Sequence, residues 1–333
     1  PTSPSITTPQ NAPTACAQTT GRIALEPVST NKALPGWISS QAIFAASEQL
    51  EFYEEDMGWC PTEFIKLCVL PAYPTDANLA EETYHRQLFE YTAQLPREPL
   101  LIGLGGEHSI TPAMAFARLP EGGTVVQIDA HADLRPTYHG SIYNHACPMY
   151  RLRQRGYPLI QIGIRSLHAR EAALIGADPE ISTHFDRPLQ HPDGWQKLHQ
   201  QLTSLQGPVW LSIDMDGFDP ALIPGVGTPQ PGGLSWYQGL EIIAALTQNP
   251  AVELCGIDIL ELVPEPSRVS DMMAAELESQ VLAAASGLVP TENPLGRLKD
   301  LNERLARVVE LRFFGGLSVE ETAEALAAYT GDG

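Results

Sequence analysis

Six short apolar runs, each separated from the next by loop or helical spacing, constrain this chain more than anything else in it. The runs are "FIKLCVL", "PLLIGLGG", "TVVQIDA", "LIQIGIRS", "VWLSIDMD" and "VELCGIDIL". Between them lie "NLAEETYHRQLFEYTAQL", "TPAMAFARL", "HAREAALIGA", "DGWQKLHQQLTSLQ" and "SWYQGLEIIAALTQ". Strands that are apolar throughout are buried on both faces, and the intervening helices are what cover them. The order therefore predicts an α/β domain with a parallel sheet. Ligands bind such sheets beyond the carboxyl ends of the strands. No internal repeat breaks the pattern.

The polar residues cluster where that rule places a site. "LLIGLGGEHS" ends in His108, and "VVQIDAHAD" ends in Asp129, His131 and Asp133. "VWLSIDMDGFD" ends in Asp214 and Asp216, and "GIDILELVP" ends near Glu261. Residues at i and i+2 share a strand face, so each group can converge on one point. Acids are rarely buried unless paired or bound to metal. Four carboxylates and two imidazoles exceed the needs of one tetrahedral zinc. With two carboxylates bridging, the six side chains can hold two divalent ions that share an activated water. The oxygen-rich mixture favours Mn²⁺ over a soft-ligand metal.

Composition excludes several classes of function. The 333 residues carry a formal net charge of −20, which argues against nucleic acid and anionic membranes and suits a cationic substrate. No apolar window reaches the length of a membrane span. The cysteines Cys16, Cys60, Cys68, Cys147 and Cys255 are odd in number and scattered, which suits a reducing, cytoplasmic compartment. The Pro-, Thr- and Ser-rich start lacks the apolar core of a signal peptide. The expected divisions are a tail over 1–21, a catalytic domain over 22–287, a linker over 288–294 and a helical tail over 295–333.

The blocks "GGEHS", "DAHAD" and "SIDMDGFDPALIPGVGTPQPGG" resemble the signatures of the ureohydrolases, the group of arginases, agmatinases and guanidino-acid hydrolases. The resemblance covers roughly residues 40–286 and is closest to agmatinases. It implies a three-layer α/β/α fold around a parallel eight-stranded sheet, and hydrolysis of a guanidinium to urea and an amine. It implies two Mn²⁺ per chain, with Ni²⁺ as another divalent candidate. One ion would take His108, Asp129, Asp133 and Asp214, and the other Asp129, His131, Asp214 and Asp216. Asp133 would also orient the attacking water, His145 would shuttle a proton, and Glu261 would hold the guanidinium. A homo-oligomer, trimer or hexamer, is implied as well.

His139 shares the His145 loop and ranks below it only through that resemblance. His85, His168, His184, His191 and His199 lack partner spacing and are expected to be structural or solvated. Asp219 is expected to cap a turn before Pro220. The first expected substrate is agmatine, yielding putrescine for polyamine synthesis. Guanidinobutyrate, arginine and free guanidine are the alternatives. Arg135 weighs on that choice, because facing the pocket it would favour a substrate carboxylate. A catalytically silent scaffold of the same fold is the reading from another class.

Both ends depart from the pattern. "STNKALPGWISSQAIFAASEQLEFY" lacks the Arg and Gly positions that border the entrance and subunit contacts in related enzymes. "LNERLARVVELRFFGGLSVEETAEALA" resembles a sigma-factor helix-turn-helix whose recognition helix is absent, so no promoter binding is expected.

Overall fold

The computed structural model describes residues 21–25, 37–51, 53, 66–70, 73, 79–97 and 100–285. The expected linker and helical tail, residues 1–20 of the expected N-terminal tail, and residues 29–36 and 52 of the departing stretch lie outside the described residues. Eight strands form one sheet: β1 (Gly21–Leu25), β2 (Lys66–Val69), β3 (Leu101–Leu104), β4 (Thr124–Ile128), β5 (Leu159–Ile164), β6 (Ile181–Phe185), β7 (Gly207–Asp214) and β8 (Val252–Leu260). Their order is β2-β1-β3-β8-β7-β4-β5-β6, with every pairing parallel.

Successive residues on the central strands feed opposite cores, as the pleat requires. Ile102, Leu104, Val126, Ile128, Leu211 and Ile213 enter one core. It is closed by α1 (Trp37–Ser47), a short α6 (Asp186–Leu189), α7 (Pro192–Ser204), α8 (Trp236–Thr247) and α9 (Val269–Ala285). Leu101, Val125, Leu159, Trp210 and Leu260 enter the other. That face is covered by α2 (Glu81–Gln94), α3 (Thr111–Arg118), α4 (Pro148–Gln154) and α5 (Ala169–Ala177). The three-layer α/β/α expectation is met. The six runs became β2, β3, β4, β5, β7 and β8, while β6 has too polar a sequence, "ISTHF", to stand out as a buried strand.

A bulge between β7 and β8 shows how tightly the central strands fit. Val209 pairs with Leu254 but Trp210 pairs with Gly256, so β8 carries one extra residue there. The fully buried Trp210 indole occupies the space beside Gly256 and donates through Nε1 to Asp258 at 2.8 Å. A Cβ on Gly256 would lie 2.1 Å from the Trp210 ring. Gly256→Ala should therefore destabilise the fold by about 1–3 kcal/mol through overpacking. Denaturant unfolding will check it, and an unchanged midpoint would contradict it.

Candidate metal centre

The sheet sets the stage, and the turns beyond the strand ends do the assembling. β3 runs through Gly105 and Gly106 into a single 3₁₀ turn, His108–Ile110. β4 ends at Ile128, one residue before Asp129. β7 ends in Asp214, and Asp216 lies in a second 3₁₀ turn, Met215–Gly217. The expectation that Asp214 and Asp216 share a strand face does not hold, because β7 ends at Asp214. Asp214 and Asp216 converge because the chain turns, with Asp214 Oδ1 accepting the Asp216 N–H at 2.9 Å, and not because both stand on one strand face. Gly217 lets this turn lie against β4, since a Cβ there would come within 2.9 Å of the Asp129 nitrogen.

Asp133 and Glu261 have φ of 52° and 62°. Non-glycine residues seldom occupy this left-handed region, at a cost of about 1–3 kcal/mol each, and such strain clusters at functional sites. The reversal at Asp133 swings its carboxylate onto His108.

Six of the candidates converge. His108 Nδ1 lies 3.2 Å from Asp129 Oδ2, 3.2 Å from Asp133 Oδ2 and 3.3 Å from Asp214 Oδ2. His131 Nδ1 lies 3.0 Å from Asp216 Oδ2 and 3.6 Å from Asp129 Oδ1. Asp129 thus presents one oxygen to each imidazole. Asp214 faces only the His108 side, its other oxygen being engaged by the Asp216 amide.

Two overlapping groups in this set could each hold a cation, His108 with Asp129 and Asp133, and Asp129 with His131 and Asp216. Asp214 stands beside the first through its contact with His108. His108 Nδ1 is fully buried and makes no directional hydrogen bond, although three carboxylates surround it. Its other ring nitrogen is engaged by Ser212 Oγ at 2.8 Å, and Ser212 is in turn held by Asp258 at 2.5 Å. A metal-ligating imidazole is oriented in the same way, through its second nitrogen. Burial pushes the Asp133 carboxyl up to about 6, with the Asp129 charge adding to it. Burial followed by the charges of Asp216 and Asp129 holds Asp214 well above the ordinary range. For His131, burial works downward, but hydrogen bonds to Asp129 and Asp216 carry the imidazole up to about 11. Buried like charges without Lys or Arg partners are relieved by bound cations.

The centre opens into a cavity of about 500 Å³ lined by Glu107, Asp133, Glu171, Asp214, Asp216 and Glu261 among others. Glu261 Oε1 accepts the His108 amide at 2.7 Å, and burial raises this carboxyl to about 7. His145 borders the cavity, its Nδ1 and its backbone N–H both 3.1 Å from Glu107 Oε1. Glu107 raises the His145 imidazole, with burial opposing. His139 is exposed and does not line the cavity. Arg135 does line it, but its guanidinium is 3.9 Å from the buried Glu171 carboxylate and lies over the Tyr138 ring at 4.9 Å.

Two contributors carried no readable signal. Glu107 stands inside the quoted "GGEHS" block, yet only the fold shows it pinning a loop 38 residues away. Arg165 donates to the carbonyls of Asp216 at 2.7 Å, Phe218 at 3.1 Å and Gly217 at 3.2 Å, and so fixes the turn that carries Asp216. Asp219 caps its turn as expected, accepting the Ala221 amide at 2.8 Å.

Comparison with known proteins decides the family. The Arginase family model matches residues 30–284, most of the chain. This chain belongs to the arginase family. An N(1)-aminopropylagmatine ureohydrolase of Synechocystis sp. is 36% identical over 252 residues, covering 73% of this chain and 80% of the relative. One from Thermus thermophilus is 35% identical, covering 71% and 80%. The crystal structure of agmatine ureohydrolase of Thermoplasma volcanium superposes with a TM-score of 0.68 at 28% identity, covering 80% of this chain and 89% of that one.

A second model, ECF sigma factor, matches residues 268–329. It reaches further back than the sequence resemblance did, into α9. There Ala274, Leu277 and Val281 belong to the arginase-family core and the helix packs on α1. Among the described residues no helix is long and apolar enough to cross a membrane.

Proposed function

We propose that this arginase-family member hydrolyses the guanidino group of a linear cationic amine, agmatine or its N(1)-aminopropyl derivative, to urea and the free amine. The observation that carries this reading is the charge of the cavity. Among the described lining residues the one guanidinium, Arg135, is engaged by Glu171 and Tyr138. Once two ions offset Asp133, Asp214 and Asp216, the carboxylates left to face a substrate are Glu107 and Glu261. A substrate carboxylate, as in arginine or guanidinobutyrate, would find no unengaged Lys or Arg among the described lining residues. A di- or tricationic amine would offset Glu107 and Glu261. The relatives named for N(1)-aminopropylagmatine support the longer amine as strongly as agmatine.

His108, Asp129, His131, Asp133, Asp214 and Asp216 would hold two divalent ions, Mn²⁺ by the hardness of the donors. Such ions lower the pKa of water and offset the buried carboxylates. Glu261 holds the guanidinium with its second carboxylate oxygen, the first being committed to the His108 amide. Asp133 accepts a hydrogen bond from the attacking water and aims it at the guanidinium carbon. His145 carries a proton to the departing amine. Glu107 on Nδ1 leaves Nε2 as the exchanging nitrogen, and a side chain that is 40% exposed can be reprotonated from solvent. The chain divides, on this reading, into a catalytic domain over 22–287, flanked by tails at 1–21 and 295–333, that works in the cytoplasm as a homo-oligomer in polyamine synthesis. The family match over 30–284 supports the main boundary.

The test is urea release by the Mn²⁺-loaded protein from agmatine, N(1)-aminopropylagmatine, arginine, guanidinobutyrate and guanidine. A cationic amine should exceed arginine in kcat/KM by about 10²-fold or more, the scale of a mismatched buried charge. Higher activity on arginine or guanidinobutyrate would overturn the substrate class, and no urea from any of them would overturn hydrolysis. His145→Asn should lower kcat by about 10²–10⁴-fold at unchanged metal content, as expected for loss of a general acid. Glu107→Gln should give a smaller loss with an altered pH profile. If His145→Asn were benign and His139→Asn crippling, the proton carrier would be the other histidine.

A further inference from the structure

A second pocket, of about 530 Å³, lies on the α2, α3 and α4 face. Its charge is opposite to that of the catalytic cavity. Arg86, Arg151 and Arg155 line it against one carboxylate, Glu82. On a chain of net charge −20 this is a local reversal of sign.

The arginines are poorly matched by acids. Arg86 lies 4.0 Å from Glu90, with both side chains largely exposed, so that pair is weak. Arg151 and Arg155 have no carboxylate at ion-pair distance among the described residues. Arg151 donates to the Ser109 carbonyl at 3.4 Å and lies 4.5 Å over the Tyr143 ring, and Arg155 lies 5.1 Å over Phe116. Burial lowers the Arg151 guanidinium, the direction expected of a cation short of counter-charge.

An independent observation sits at the same place. His85 lines the pocket and is 2% exposed, yet neither ring nitrogen has a hydrogen-bond partner among the described residues. Its ring stacks on Tyr143 at 4.9 Å, which fixes its plane. Burial, followed by the Arg151 charge, pushes the imidazole down to about 3, so the ring is neutral and carries one N–H. A buried N–H without an acceptor costs the fold free energy comparable to a lost hydrogen bond. Two guanidinium groups without acids and an imidazole N–H without an acceptor lack the same thing, a compact group of oxygen acceptors carrying negative charge.

We propose that this pocket binds a small oxyanion, a phosphate or carboxylate group, held by Arg151 and Arg155 with His85 as a neutral donor. Planar guanidinium forks match the oxygens of either group. The pocket shares no lining residue with the catalytic cavity, so the assignment does not rest on the proposed reaction.

The experiment is a titration of the metal-loaded full-length protein with sodium sulfate, at ionic strength held constant with chloride, read as melting temperature. Sulfate stands in for phosphate so that the metal stays in solution. A parallel titration uses acetate. A ligand of the folded state raises the melting temperature along a saturating curve. Saturation by either anion is expected, and the one with the lower midpoint identifies the group. In Arg155→Glu, at an exposed position, the midpoint should rise about tenfold or more, the scale of a charge-assisted hydrogen bond. In Arg187→Glu, an equal charge change at an exposed site on α6 across the sheet, it should not move. No saturation with either anion, an unchanged midpoint in Arg155→Glu, or an equal rise in Arg187→Glu would each overturn the site.

Discussion

Asp214→Asn should strip the protein of most of its bound divalent metal and nearly all urea release, while leaving the metal-free fold at least as stable as the unsubstituted one. The two halves of this expectation have the same cause. Asp214 ends β7 with one oxygen 3.3 Å from His108 Nδ1 and the other accepting the Asp216 amide. An asparagine Oδ1 can keep the second contact, so the 3₁₀ turn survives. It cannot supply the charge that helps neutralise two dications. In the metal-free fold the sign reverses. Burial, Asp216 and Asp129 hold the Asp214 carboxyl well above the ordinary range. The unfolded chain therefore releases this proton at a lower pH than the folded chain does. Above the unfolded-state pKa, ionisation favours unfolding, so stability from this group falls as pH rises through that window. A neutral amide removes the penalty. Elemental analysis, urea release and melting temperatures with and without Mn²⁺ will check both halves. A variant that kept two ions per chain and full turnover would sink the assignment of Asp214 to the centre.

The same residues show what could be read from the sequence and what could not. Asp129, His131, Asp133, Asp214, Asp216 and His108 were legible because an acid or imidazole directly after a buried strand has few structural explanations. Their convergence was legible too, but its means was not. A period-two strand and a strand-end residue that caps the following turn both bring i and i+2 to one site, and only the backbone tells them apart. The left-handed conformations at Asp133 and Glu261 left no trace in residue type, because neither is the glycine that would signal such a position. Glu107 was hidden by distance along the chain, its contact with His145 forming only when the loop after β4 folds over β3. The standing of Arg135 was equally out of reach. Its charge was visible, but the Glu171 carboxylate that engages it lies on α5, 36 residues on. That pairing turns a feature favouring an anionic substrate into a neutral part of an acidic wall. β6 stayed hidden because a sheet edge tolerates the mixed sequence that a central strand does not.

Glu261→Gln should reduce kcat/KM for the cationic amine by about 10²–10³-fold while metal content stays at the unsubstituted level. Glu261 meets the centre through the His108 backbone amide and is not among the proposed ligands, so removing its charge leaves the ligand set intact. The glutamine Oε1 can still accept the His108 amide, which preserves the turn that carries His108. What disappears is the negative charge facing a guanidinium at a half-buried position. Truncating one partner of a buried, hydrogen-bonded charge pair costs about 2–5 kcal/mol, and each 1.36 kcal/mol is about tenfold. Glu261, left-handed with a φ of 62° at the end of β8, places its carboxylate at the cavity wall. The loss should be shared between KM and kcat, since the pair positions the guanidinium carbon as well as binding it. Steady-state kinetics on agmatine and N(1)-aminopropylagmatine, with metal analysis of the same samples, will decide. Full activity in Glu261→Gln would mean that another carboxylate, Glu107 or Asp133, holds the substrate. Activity lost in proportion to metal would mean that Glu261 serves the centre and not the guanidinium.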